Sequence, residues 1–338
     1  MTTSFVAPPQ RIWLQYASSS RLARGQNPLR LAARDFCHRL LTRNVVIVDI
    51  GSVETQSVTV NITSDDPVPS GKISLRDAVN LADGGATSNV VAFDTTVFST
   101  AQTLLLVGPL FVTGTVTIDC PTPGVTVSGI ISNTGSLTIS GGSSTHPFIV
   151  NEIEGNGALT VGTSSTPGYM RLAPSVASST VGALTINTGS TLDITIDPIL
   201  ISYAGANPVA SIRGYLASAS AIAHWTGTGL TSSTVAAQVA PNFGTTNGLW
   251  SIAYVDGSQT EHHVATALGV GASQILVLPA LRADANLDGK VDFNDLLILA
   301  QVTHFARRQG ISRQSNLDGD IAPVVFRPKS ACSGKMAV

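Results

Sequence analysis

The stretch VTIDCPTPGVTVSGIISNTGSLTIS, residues 116–140, contains an apolar–Thr–apolar core three times, at Val116, Val125 and Leu137. The beat continues downstream as FIV at Phe148, LTV at Leu159, LTI at Leu184 and ITI at Ile194. Consecutive cores lie mostly nine to twelve residues apart, and every second core falls roughly 21–25 residues on. Gly, Ser, Asn and Pro fill the intervals. Short strands at this spacing suit a sandwich, but a period of twenty-odd residues suits a stacked parallel coil better. In such a coil one face of each strand points into a continuous apolar stack. Thr and Ser decorate the outside, and small turn residues let successive coils sit in register. The sequence therefore predicts a mainly β chain built on a right-handed parallel β-helix.

Composition agrees with this reading. Charged residues make up only 12% of the 338 residues and the formal net charge is −2. Such a surface offers no basic face to nucleic acid. Cys37, Cys120 and Cys332 are odd in number and far apart, so no disulfide framework follows from them. Every apolar run is too short to span a bilayer, which leaves no expected transmembrane segment.

The solenoid is expected over 51–190. Upstream of the beat, SVTVNITSDDPVPSG alternates as a strand, with Val58, Val60 and Ile62 on one face. KISLRDAVNLADGG follows. Ser74 with Asp77 three residues later is a capping box, and Leu75, Ala78, Val79 and Ala82 make one helical stripe. A short capping helix over 73–83 is predicted. Residues 1–43 hold seven arginines against the single acid Asp35, so 1–50 reads as a basic leader, compositionally like a transit peptide. It has neither the apolar core nor the cleavage site of a secretory signal.

This N-terminal region resembles that of secreted bacterial β-helix proteins, which open with S-L-R-E-A, then I-x-F-D, then V-T-I-D-G. The matching residues are Ser74 to Ala78, Phe93 with Asp94, and Val116 to Asp119. The chain departs at Asp77, for Glu, and at Cys120, for Gly. The resemblance covers about 75 residues, and it implies a secreted or surface scaffold whose helix caps the open edge of the solenoid.

Residues 191–281 lose the strict beat and read as a β-rich spacer, with a short helix expected around Arg213, Tyr215 and Leu216, and Trp225 and Trp250 as packing anchors. The segment resembles the module that precedes C-terminal calcium repeats in large secreted bacterial proteins.

The chain's densest group of acids follows. In ADANLDGKVDFNDLLILAQ, a loop numbered from Asp284 places Asp284 at position 1, Asn286 at 3, Asp288 at 5 and Gly289 at 6. Lys290 falls at 7, Asp292 at 9 and Asp295 at 12. These are EF-hand positions, and six oxygen donors on so short a loop suit a hard cation of calcium's size. Lys290 would lend its backbone carbonyl, and Val291 would pack inward. The alternative is an Asp/Asn-rich turn capping an ordinary helix.

Asp at position 12 followed by an apolar helix resembles a dockerin type I repeat. The resemblance implies a Ca²⁺-binding module over 282–320 whose partner is a cohesin-like receptor domain; a cell-surface polysaccharide is the other expected partner. A second loop numbered from Gln314 keeps Asn316, Asp318, Gly319 and Asp320 but has Ala322 and Val325 at positions 9 and 12, so it is expected to be weak or dead. Residues 321–338 are left as a tail.

The function expected from these features is that of a non-catalytic, calcium-binding, secreted or cell-surface structural or adhesion protein. The alternative is a carbohydrate-active enzyme, a polysaccharide lyase or glycoside hydrolase, on the same scaffold. Asp193 and Asp197 in LDITID are its best acidic pair, but four residues of strand would separate them by about 13 Å. Glycoside hydrolysis wants roughly 5–9.5 Å. Between residues 77 and 281 there is no lysine and only Arg171 and Arg213, and His262 with His263 reads as a loop pair.

Overall fold

The structure is a computed structural model, and it describes residues 57–84, 89–175, 177–221, 224–239, 250–259, 264–298 and 300. The chain divides into two units, Met1–Glu54 and Thr55–Val338. The basic leader, His262 with His263, the second loop at 314–325 and the tail lie outside the described residues.

Residues 102–201 form a parallel β-solenoid of about four turns. Its first sheet stacks Val58–Val60, Val90–Phe93, Thr115–Cys120, Ser136–Gly141, Ala158–Val161 and Ala183–Ile186, all parallel. The cores at Val116, Leu137, Leu159 and Leu184 are direct rung partners, spaced 21, 22 and 25 residues apart. Their threonines, Thr117, Thr138, Thr160 and Thr185, stack in the same register. The second sheet holds Gln102–Leu105, Val125–Asn133, Phe148–Glu154, Tyr169–Leu172, Thr191–Asp193 and Gly229–Thr231. From Val116 to Leu159 the sequence beat thus alternates between two sheets, as a coil with two strands per turn requires.

A third face grows out of the second. A register shift between Val127 and Ile130 bends the long strand Val125–Asn133, so that Ile131 pairs Leu110 on one side and Ile153 on the other. Beyond Glu154 the ladder passes through side chains. The N–H of Ile153 donates to Ser179 Oγ at 3.1 Å, and that of Gly155 donates to Thr180 Oγ1 at 3.0 Å. Ser179–Val181 then pairs in parallel with Ile199–Ser202. There the direction reverses: Gln274–Leu281 lies antiparallel to Ile199–Ser202, and Trp250–Asp256 antiparallel to Gln274–Leu281.

Inside the coil, Val116, Ile118, Ile131, Leu137, Ile139, Phe148, Val150, Leu172 and Leu192 are fully buried. Where one coil passes into the next, Gly135 and Gly157 stack against backbone: a Cβ on Gly135 would lie 2.1 Å from the Gly114 carbonyl oxygen, and one on Gly157 would lie 2.5 Å from that of Gly135. Side chains are excluded there, which is the physical content of the small turn residues between beats.

The capping helix spans Leu75–Gly84 and buries Leu75, Ala78, Val79 and Ala82, the stripe read from sequence. Ser74 Oγ accepts the Asp77 N–H at 3.1 Å, and Asp77 Oδ2 accepts the Ser74 N–H at 3.2 Å. Arg76 explains the third member of the motif. Its guanidinium grips Asp65 at 2.7 Å and donates to the carbonyls of Gly108 and Pro109, locking the helix onto the first coil.

Two expectations need correction. The helix near Arg213 begins earlier and spans Val209–Ser220, because Asn207 Oδ1 accepts the Val209 N–H and turns the chain after Pro208. Trp225 is buried, but Trp250 is 37% exposed, since its strand is the outer edge of its sheet.

Candidate metal site

Gln274–Leu281 delivers the chain to the acidic loop, and residues 293–298 after it are helical. Ala283 and Leu287 adopt positive φ (71° and 58°) and Gly289 has φ 85°, so the backbone winds tightly enough to turn amides inward. Asp284 receives them: its Oδ1 accepts the Asp288 N–H at 3.2 Å and its Oδ2 the Gly289 N–H at 3.0 Å. Asp295 closes the loop from the other end. Its Oδ1 accepts the amides of Ala285 (2.8 Å) and Asn286 (3.2 Å), and its Oδ2 that of Asp292 at 2.7 Å.

The remaining donors divide into two groups. Asn286 Nδ2 donates to Asp288 Oδ2 at 2.9 Å, and Asp288 Oδ1 accepts the Lys290 amide at 3.0 Å. Lys290 is exposed. Asp292 is exposed as well, and its Oδ1 accepts the Asn294 N–H at 2.7 Å. Asp292 thus caps the helix, and Asp295 three residues on accepts the Asp292 N–H in return. Two of the positions expected to hold a cation, Asp292 and Asp295, are also the residues that start the helix.

Asp284 and Asp295 are 7% and 3% exposed, yet their acidities move in opposite directions. Burial raises the Asp284 carboxyl above its ordinary range, with the charge of Asp295 adding to the rise and the amides of Gly289, Leu287 and Asp288 opposing it. Burial also works against ionised Asp295, but the amides of Asp292, Asn286 and Ala285 outweigh it and hold that carboxyl below the usual range. Among the described residues no three His, Cys, Asp or Glu side chains are gathered as a metal centre. The donor chemistry, all oxygen and mostly anionic, fits a hard cation.

The residue that anchors the loop is Leu287, which packs against Val255, Ala265 and Val270. Val291, expected to point inward, is 50% exposed. Phe293, Leu296 and Leu297 are also exposed, and they leave an apolar face on the short helix.

The acidic pair weighed for an enzyme does not assemble. LDITID is not one strand: pairing ends at Asp193, Thr195 takes φ 50°, and the Asp197 N–H closes a turn on the Ile194 carbonyl at 2.8 Å. Asp193 is committed to Arg171 at 2.7 Å and to the amides of Thr195 and Ser233. Sequence reasoning missed Glu152, which lies near Asp197. Its sole signal was a charge at a half-turn position of the beat, in VNEIEG.

A parallel β-solenoid with a capped first coil and a loop-and-helix device at its far end is the class that fold and site define. No family model matches the chain, and the comparisons with curated proteins and with solved structures found no match. Among the described residues no helix is long and apolar enough to cross a membrane.

Proposed function

We propose that this is a non-catalytic, calcium-binding, secreted or surface-displayed protein, in which the solenoid is a scaffold and residues 282–320 are a dockerin-like interaction module. The reading rests on the loop: two buried carboxylates, Asp284 and Asp295, are held by inward backbone amides at its two ends. Asp284, Asn286, Asp288, Asp292 and Asp295, with the carbonyl of Lys290, would hold Ca²⁺. A divalent cation would neutralise the repulsion that Asp295 now exerts on Asp284. Its binding free energy would stabilise the loop and the helix after it. The apolar face of Phe293, Leu296 and Leu297 suits a cohesin-like receptor domain as partner.

The carbohydrate-active alternative is less well supported. It requires acids that a polymer can reach, and Asp197 is 2% exposed while Asp193 is bound to Arg171.

Calorimetric titration of the full chain with calcium tests the proposal. One site with a dissociation constant of about 10⁻³ M or tighter is expected, the range of extracellular modules and stronger sites. Asp284→Ala and Asp295→Ala should each abolish it. No heat up to millimolar calcium, or binding that survives both substitutions, overturns the reading.

A further inference from the structure

Three acids line the corner between the second and third faces. Glu152 is 9% exposed, Glu154 follows it in the same strand, and Asp197 is 2% exposed. Asp197 Oδ1 accepts the Ser175 N–H at 3.0 Å, but Oδ2 is buried with no hydrogen-bond partner among the described residues. Rung pairing of Val150 with Leu172 and of Arg171 with Asp193 sets Glu152 two coils before Asp197. At about 4.8 Å per coil they stand roughly 10 Å apart, and the charge of Asp197 bears on Glu152.

Among the described residues no Lys, Arg or His acts on Glu152 or Asp197. Arg171, the single arginine on the solenoid coils, is bound to Asp193, and Arg213 acts on Tyr254. The titratable and charged groups that bear on the corner are therefore Glu152, Glu154, Asp197 and the closed Arg171–Asp193 pair. A buried carboxylate with an unpaired oxygen and only anions beside it is stable in its protonated form.

We propose that Asp197 and Glu152 act as a proton-holding joint, which fastens the last coil of the solenoid more firmly in acidic than in neutral surroundings. Burial raises both carboxyls above the ordinary range, and Glu154 and Asp197 push Glu152 further in the same direction. The sign follows from linkage. An acid whose folded pKa is raised costs nothing below its unfolded value. It destabilises progressively as pH rises from that value through the folded one.

The test is thermal unfolding of the full chain at pH about 4 and about 7, comparing wild type with Asp197→Asn and with Glu152→Gln. At the lower pH the three should melt together. At the higher pH each variant should melt above wild type, by about 2–4 °C. A difference that is the same at both pH values, or a variant that melts below wild type at neutral pH, overturns the proposal. Should Asp197→Asn fail to fold, Glu152→Gln alone decides. Millimolar calcium that raises the wild-type midpoint but not that of Asp197→Asn would make the corner a cation site instead, and this too overturns the proton reading. The Asp284→Ala background keeps the outcome separate from the terminal loop.

Discussion

The solenoid coils and the C-terminal loop satisfy their backbone in opposite ways. In the coils, amides pair with carbonyls of the next rung and apolar side chains turn inward, with Leu137 and Ile139 fully buried. In the loop, amides pair with carboxylates, and the apolar side chains of Phe293 and Leu296 turn outward at 73% and 57% exposure. One region is complete by itself. The other satisfies its amides with anions and presents its apolar surface; under the proposed function it would gain stability from a cation and a partner.

Glycine substitutions break this comparison most sharply. Gly135→Val would drive a side chain into the Gly114 carbonyl and the backbone of Thr113, neither of which can move without opening the coil. Circular dichroism should show no cooperative unfolding. Gly289→Val meets nothing within 4 Å and disturbs only a φ of 85°, so the solenoid should unfold at its wild-type midpoint. The local cost is about 1–2 kcal/mol.

Apolar truncations should separate the regions by a smaller margin. Leu137→Ala removes a fully buried rung residue and should cost about 2–5 kcal/mol in denaturant unfolding. Leu296→Ala, at an exposed position, should stay within about 0.5 kcal/mol of wild type. The cap lies between these extremes. Ser74→Ala removes one side of the box with Asp77 and should cost about 1 kcal/mol, read as a shift in midpoint with unchanged slope. Equal losses at Leu137 and Leu296 would refute the division.

The solenoid was legible because its period is a property of the chain. Val116, Leu137 and Leu159 stand at coil spacing, and nothing distant is needed to align them. The capping box was legible for the same reason, being local to Ser74 and Asp77. The strand Tyr169–Leu172 escaped because Arg171 replaces the expected threonine, and that arginine makes sense only beside Asp193, one coil later. LDITID misled by its alternation: the turn at Thr195 is set by long-range bonds, Thr195 Oγ1 to the Leu172 carbonyl and Ser232 Oγ to the Thr195 carbonyl. Leu287 escaped as the loop's anchor because its contacts lie on the hairpin and helix before it. Of the loop itself, the spacing announced the turn and its acids, while the double use of Asp295 as loop closure and helix cap emerged only with the amide directions.

The antiparallel strand Gln274–Leu281 has a mechanical consequence. It lies between Ile199–Ser202 and Trp250–Asp256, and it runs directly into the acidic loop. In both antiparallel pairs its loop-side end lies opposite the start of the neighbour, Val277 against Ile199 and Leu281 against Trp250. Tension between the loop and the chain entering those neighbours would load the end rungs first and open them one at a time, as in peeling, rather than all together in shear.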